Sequence, residues 1–189
     1  MSALRKTVRV LSRRALRSIV TLHGSSEAIA LGTAIGVFVA FTPTVGFQML
    51  IGAFLATLVG ANRPAAMIPA WITNPFTIAP IFTATYWLGK FFWPGPSVGE
   101  VYHRLLVAAQ GLARLSFYEL HKQLIEILRL GEEVFVPMSI GGVIVGSLCG
   151  VIAYPLTLRA VRGSRARLTA RRQRRAMRIA ARKGRNPAD

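Results

Sequence analysis

The chain has 189 residues, is 52% hydrophobic and only 16% charged, and yet carries a formal net charge of +17. A soluble domain is about 25% charged, so this composition argues against an ordinary soluble protein, and a lone cysteine, Cys149, excludes an internal disulfide or a site of several thiolates. The charge is confined to the ends, because residues 1–22 hold six Lys/Arg, residues 159–189 hold twelve, and residues 23–158 balance six basic against six acidic residues. These properties predict an all-α integral membrane protein with basic ends.

Residues 1–24 are predicted to form a basic amphipathic helix. Leu4, Val8 and Leu11 begin an apolar stripe at spacings of three and four, with arginines on the neighbouring stripe. This pattern is typical of a helix that lies on an anionic membrane surface. The same composition also fits a mitochondrial presequence, and that alternative stays open at this point.

Residues 25–158 form the predicted membrane domain, which begins with an interrupted hairpin at 28–60. A Pro- and Gly-containing break at 42–46 separates two arms, 28–41 and 46–60. A membrane-spanning helix needs about 20 residues, so arms this short favour a re-entrant hairpin. Two full spans are the alternative.

An interrupted span is predicted next, at residues 65–93, with its break at 73–75. The span ends among aromatic residues around Lys90. Aromatic residues beside a lysine are typical of a membrane boundary, so we assign Lys90 a structural role in preference to a catalytic one.

Residues 97–133 carry five acids, four basic residues and apolar stripes at helical spacing, which predicts amphipathic helices in an outward-facing loop. Residues 134–158 follow as 25 residues without a charge, the clearest transmembrane helix of the chain. Residues 159–189 are the basic C-terminal tail. Because Lys and Arg accumulate on the cytoplasmic side, we expect an even number of crossings with both ends in the cytoplasm.

The two breaks share a helix-start pattern, since Thr42 and Asn74 can each cap a helix and each precedes a proline. About ten helical residues from the surface at Arg63 rise roughly 15 Å, half of a hydrocarbon core of about 30 Å. Two helix N-termini would then meet in mid-membrane and attract an anionic group. The candidate ligand-binding residues are Thr42, Pro43, Thr44, Gly46, Gln48, Arg63, Asn74, Pro75 and Thr77.

The alternative explanation of the breaks is structural, because Thr and Asn often satisfy backbone groups freed by a Pro kink. Small residues spaced four apart predict close helix packing, within the chain or between protomers. These are Gly32 and Gly36; Gly52, Ala56 and Gly60; and Gly142, Gly146 and Gly150. No motif of a nucleotide site, catalytic triad or metalloenzyme occurs, so neither an enzymatic activity nor a cofactor is predicted.

Four stretches carry a resemblance to a known family: Gly32–Gly36, Phe41–Gln48, Ala61–Pro64 and Trp71–Thr77. Together they resemble the bacterial membrane family called the domain of unknown function 2062 family, over about residues 20–158. The resemblance implies a bacterial inner-membrane protein and disfavours a mitochondrial presequence, and the hydropathy pattern makes that protein multi-pass. It implies no activity, although some relatives joined to glycosyltransferase-like domains point toward lipid-linked sugar or polyprenyl-phosphate metabolism.

The sequence thus predicts a small inner-membrane protein that binds or translocates an anionic lipid or similar amphiphile, with a homo-oligomer completing any transport path. The alternative is a non-catalytic scaffold that recruits a membrane partner, and a third option is a membrane-tethered nucleic-acid binder. For the tail we favour anionic head groups over nucleic acid, because it directly follows an apolar span and contains no aromatic residue.

Overall fold

The computed structural model describes residues 22–74, 76–114 and 131–183, and every regular element in these ranges is helical, as the composition predicts. Most of the expected N-terminal helix, Pro75, and the second half of the expected outward loop lie outside the described residues. The elements are α1 (Ser26–Ala40), α2 (Gln48–Leu58), α3 (Arg63–Met67), a 3-10 helix (Ile68–Ile72), α4 (Ile78–Gly89), α5 (Val98–Arg114) and α6 (Glu132–Lys183).

Helix α1 packs antiparallel along α6, and glycines of α6 allow the two backbones to approach closely. A Cβ on Gly142 would come within 2.5 Å of the Phe41 carbonyl oxygen. Gly146 and Gly150 face the carbonyls of Phe38 and Ala34 in the same way. Because these small residues recur every four positions, they form one continuous face on α6.

Helices α1 and α2 form a hairpin that returns to the level at which it began. The Asn62 N–H, just beyond α2, donates to the Ala28 carbonyl at 2.9 Å, near the start of α1. Gly36 of α1 and Gly52 of α2 both face the backbone of Ala66, so α3 packs against both arms. The two helices, with 15 and 11 residues, are each shorter than the roughly 20 needed to cross a bilayer.

The chain from Asn62 to Gly89 runs from the level of the start of α1 to the level of Pro137 on α6. It begins beside the start of α1, and the Thr73 hydroxyl donates to the Ala40 carbonyl at α1's last residue, at 2.6 Å. Helix α4 then crosses α6, where Gly89 faces the Pro137 backbone. This path is interrupted at residues 73–77, around the predicted break at 73–75.

Helix α5 packs its apolar face on the protein. Val101, Leu105 and Ala108 join a core with residues of α4 and α6, which include Phe82 and Met138. The described part of the expected outward loop is therefore covered by the chain's own helices.

A hydrogen-bonded turn links α4 to α5. The Tyr86 hydroxyl and the Lys90 ammonium both donate to the Pro96 carbonyl, at 2.8 and 2.7 Å. Trp87 and Phe91 beside them are exposed. Lys90 thus stabilises the turn, in agreement with its assigned structural role.

Within the described ranges, one helical stretch, Glu132–Ala170, is long and apolar enough to cross a membrane. Only 33% of its most apolar window is buried inside the protein, and Val143, Leu148 and Val151 are exposed. Helices α1 and α2 are apolar but shorter.

Candidate functional site

The first break, residues 41–47, is a turn that ends α1 before α2 begins. The Thr42 hydroxyl donates back to the Val39 carbonyl at 2.7 Å. The Thr44 N–H then donates to the Thr42 carbonyl, and Gly46 adopts a left-handed φ of 86°. The predicted helix start at Thr42-Pro43 is therefore wrong, because Thr42 terminates α1 and the chain must turn at Gly46 before α2 can form.

Polar groups gather at the start of α2. The hydroxyls of Thr42 and Thr44 are 3.0 Å apart, and the buried Gln48 donates through Nε2 to the Thr42 carbonyl at 3.3 Å. The residue before α2, Phe47, provides no side-chain cap. Since the first N–H groups of a helix have no partner inside it, this helix end keeps its hydrogen-bonding capacity.

The second break is closed by a reciprocal cap between Asn74 and Thr77. Asn74 Oδ1 accepts from the N–H of Thr77 at 3.2 Å, and Thr77 Oγ1 accepts from the N–H of Asn74 at 2.9 Å. This arrangement satisfies two donors at once, in the manner of a capping box. Asn74 thus caps the turn that leads into α4, whereas α4 itself begins at Ile78, after Thr77, without a side-chain cap of its own.

A buried hydrogen bond holds the two breaks together. Thr73, which precedes Asn74, donates to Ala40, which lies two residues before Thr42. Val45 of the first break also joins the core cluster that contains Ile78 of α4. The expectation that the two breaks lie close together is therefore met by the fold, through a threonine that the sequence did not single out.

The other predicted site residues divide between the break and distant positions. Pro43 is buried within the first break, and Pro75 lies outside the described residues. Arg63 is exposed at the start of α3, whose preceding residue, Asn62, hydrogen-bonds to Ala28 near the start of α1. The length of α1, about 20 Å, separates Arg63 from the breaks.

Helix α6 provides a scale for the depth of the first break. Phe41 lies opposite Gly142, which is eight residues from Val134 and 16 residues from Leu158, the limits of the charge-free stretch. At 1.5 Å per residue, these separations correspond to about 12 and about 24 Å. The break therefore lies inside the apolar stretch, nearer the Val134 end than the expected middle.

An apolar groove of about 490 Å³ lies between the level of the first break and the basic end of α6. It opens between α1, the end of α2, and α6, and the polar groups of the two breaks do not line it. Its walls include Leu31, Phe38, Leu58, Val151 and Tyr154. A groove of this composition suits a hydrocarbon chain.

Most of the glycines predicted to pack do so within the chain. Gly32 faces the backbone of Asn62, and Gly36 and Gly52 both face that of Ala66. Gly142, Gly146 and Gly150 face backbone carbonyls of α1 and of Phe41 just after it. Gly60 differs, because a Cβ there would meet nothing within 4 Å and its φ of 66° marks it as the turn residue after α2. Gly89 of α4 and Gly141 of α6 also lie close together, and the glycine spacing did not predict this contact. The one indication in the sequence is that Gly141 precedes Gly142.

The start of α1 is tied to the basic part of α6. Arg162 forms an ion pair with Glu27, and Arg165 donates to the Leu22 carbonyl at 3.0 Å. The hydrogen bond from Arg162 lowers the pKa of the exposed Glu27 carboxyl. Leu22 and Arg165 therefore lie on the same face of the molecule.

The sequence matches a protein family described as "Uncharacterized protein conserved in bacteria (DUF2062)", over residues 9–169. Neither a curated protein nor a solved structure matches the chain.

Proposed function

The chain belongs to this bacterial DUF2062 family, and we propose that it is a multi-pass inner-membrane protein that binds an anionic amphiphile at the first helix break. The observation that carries the proposal is the Thr73–Ala40 hydrogen bond. It holds two helix interruptions against each other within an otherwise apolar bundle. Polar interruptions of this kind are the form in which membrane transporters bind charged groups.

The exposed surface supports the membrane placement. Leu148 and Val151 on α6 and Phe54 on α2 are exposed by 63%, 72% and 62%. Contiguous apolar surface of this kind is unfavourable in water and favourable against lipid. In this placement α6 and the path from Asn62 to Gly89 cross the bilayer, and α1 and α2 form a re-entrant hairpin. Both basic ends then face the cytoplasm.

The start of α2 provides the chemistry for an anion. Its unpartnered N–H groups and the helix dipole give it a partial positive charge. Because Thr42 donates its one hydroxyl proton to Val39, the Thr44 hydroxyl donates to Thr42 Oγ1 and would exchange this bond for one to a ligand. The second amide hydrogen of Gln48 is a further donor. Asn74 and Thr77 satisfy each other, so in this proposal they hold the wall of the site while Thr42, Thr44, Gly46 and Gln48 form the binding surface.

The apolar groove accounts for the amphiphilic part of the ligand. It lies beside Phe38, one turn of α1 before the break, and it extends toward the basic end of α6. A phosphate or carboxylate at α2 and a hydrocarbon chain in the groove would occupy adjoining parts of one site. Translocation would require the same site to open to both faces, and a homo-oligomer would complete that path.

The alternative of a scaffold that recruits a membrane partner through small-residue faces has less support. Gly142, Gly146 and Gly150 already face α1 within the chain. The apolar surface that α6 leaves exposed includes Val143, Leu148 and Val151, which suits lipid as well as protein.

Replacing Thr44 by Val tests the site. The substitution preserves the shape of the side chain and removes one hydroxyl. Because a hydrogen bond to a charged group contributes about 1.5–3 kcal/mol, we expect the affinity for the anionic lipid to fall roughly 10- to 100-fold. The measurement is binding of a fluorescent polyprenyl phosphate, and separately of phosphatidylglycerol, to the purified protein in nanodiscs.

Thr57→Val is the matched control for this experiment, since the Thr57 hydroxyl is exposed on α2 and bonded to its own helix at Ala53. We expect it to bind like the wild type. Failure of the wild type to retain either lipid, or an equal loss in both variants, would contradict the proposal.

A further inference from the structure

Helix α6 does not end with its apolar stretch but continues to Lys183 as one helix. Residues 159–183 contain ten arginines and one lysine, and they contain no acid. These 25 residues extend the helix by about 37 Å. Residues 159–183 of the expected polybasic tail are therefore a helical extension of the apolar stretch.

The first part of this extension packs against the rest of the protein. Val161 is buried against Ile29 and Ala65, and Arg162 is paired with Glu27. Arg165 binds the Leu22 carbonyl. Further along, Leu168 and Met177 are exposed by 50% and 70%. The helix therefore leaves the body of the protein after about Arg165.

The length of the extension limits what a membrane surface can bind. Attraction to anionic head groups decays within a Debye length, about 8 Å at physiological ionic strength. Measured along the helix from Leu158, Arg167 is about 13 Å away and Met177 about 28 Å. Head groups therefore account for the first turn or two of the basic helix and not for its distal half.

The composition of the distal half also argues against a helix that lies on the bilayer. Such helices carry several Trp, Phe or Leu residues on one face, whereas residues 159–189 contain no aromatic residue and one leucine, Leu168. Alanine and arginine instead favour helix formation, and α6 supplies an already formed helix to continue from. Arginines recur four residues apart at 167, 171 and 175, and again at 174, 178 and 182. Like charges at this spacing repel one another, and binding to an extended polyanion would reduce that repulsion.

We propose that residues 167–183 of α6 are a basic arm that binds the phosphate backbone of double-helical nucleic acid at the cytoplasmic face. A single helix fits the major groove of B-form DNA. Arginine, which binds phosphate bidentately, makes up seven of the eight basic residues in this range. The absence of aromatic residues removes the stacking platform that single strands use. Binding is then electrostatic and independent of sequence.

This inference rests on the proposed membrane placement of α6 but not on the anion site at the first break. The experiment uses the full-length protein in nanodiscs of neutral lipid. Anisotropy of labelled 24-base-pair duplexes of DNA and of RNA, and of a single strand, is measured over a salt series. The test variant replaces Arg171, Arg172, Arg174 and Arg175 by Gln.

The matched control replaces Arg9, Arg13, Arg14 and Arg17 by Gln, which removes the same charge from the N-terminal segment. We expect the arm variant to bind duplex at least 10-fold more weakly at 0.15 M salt. Its slope of log affinity against log salt should fall by about three to four, near 0.9 per lost phosphate contact. We expect the N-terminal variant to retain most of the affinity and the slope, and Thr44→Val to bind duplex like the wild type.

Equal losses in the two four-charge variants would overturn the proposal, since net charge alone would then explain binding. Absence of duplex binding by the wild type, or a preference for the single strand, would also overturn it. A fluorescent probe attached to Met177→Cys, in a Cys149→Ser background, distinguishes an arm that binds nucleic acid from one that lies on the membrane. We expect head-group quenchers in anionic nanodiscs to leave this probe unquenched, and strong quenching would assign the arm to the membrane.

Discussion

Gly141 and Gly142 are adjacent glycines that allow α6 to contact two helices at once. Gly142 faces α1, and Gly141 faces the Thr85 backbone of α4, where a Cβ would overlap the carbonyl group. Neither neighbour can withdraw without moving a backbone, because both contacts are to main-chain atoms. Gly141 and Gly89 together thus allow the close approach of α4 and α6. The sequence does not predict this contact, because the spacing of glycines on one helix does not identify the helix that they contact.

We predict that Gly141→Ala destabilises the protein by about 1–3 kcal/mol, the usual cost of overpacking. Gly163→Ala is the control, since a Cβ there meets nothing within 4 Å. It should stabilise the helix by up to about 1 kcal/mol through helix propensity. The midpoint of thermal unfolding in detergent distinguishes the two, and a Gly141→Ala protein as stable as the wild type would contradict the close crossing.

Glu27 links the start of α1 to α6 in a manner that depends on pH. Its pKa lies below the ordinary value of 4.5 because Arg162 donates a hydrogen bond to its carboxylate. A lowered pKa in the folded protein stabilises it above the ordinary value, and this stabilisation is lost as the pH falls through the lowered one. The pair is exposed, so its contribution is small and screened by salt.

Comparison of the wild type with Glu27→Gln across pH 3 to 7 checks this prediction. We expect the wild type to unfold at the higher temperature above pH 4.5, and the two midpoints to converge at the acid end. A difference that persisted unchanged to pH 3 would show that Glu27 contributes through something other than its charge.

At the scale of elements, the sequence pattern predicts both interruptions but places the start of α2 at Thr42-Pro43, whereas α2 begins at Gln48. The Thr-Pro and Asn-Pro patterns look equivalent, yet only Asn74 caps the turn into its helix. Thr42 has a nearby α1 carbonyl to bind, and the chain needs the left-handed Gly46 before it can reverse. Whether such a threonine ends one helix or begins the next depends on the direction of the chain after the proline. Here α2 packs against α1 and α3, and this packing sets the direction.

Thr73 joins the second break to α1, and Thr73→Val should loosen that connection. The substitution leaves the buried Ala40 carbonyl without this donor, so we expect a loss of about 1–3 kcal/mol. Thr57→Val again serves as the control, with little change expected. The free energy of unfolding and hydrogen exchange at residues 40–47 are the measurements. Equal stability and unchanged exchange would show that the breaks are held together by other contacts.

At the scale of the whole molecule, charge and hydropathy predicted the helical class, the apolar part of α6 and the hairpin at 28–60. They did not predict that the basic segment continues α6 as a helix beyond Arg165. The charge and hydropathy pattern shows where the chain becomes polar. Whether the helix continues past that point depends on the helix propensities of the residues that follow. The depth of the first break likewise came from its register against Gly142, which is a tertiary contact.

The proposed topology requires that α6 crosses the membrane and that both basic ends of the described chain lie on the cytoplasmic side. Single cysteines at Ser25, Gly163 and Ser97, all exposed positions, test this in a Cys149→Ser background. An impermeant thiol reagent is applied to intact spheroplasts and to inverted membrane vesicles. We predict that Ser25→Cys and Gly163→Cys react only in inverted vesicles and that Ser97→Cys reacts only in spheroplasts. Reaction of all three from one side, or of Ser25→Cys and Gly163→Cys from opposite sides, would contradict the account.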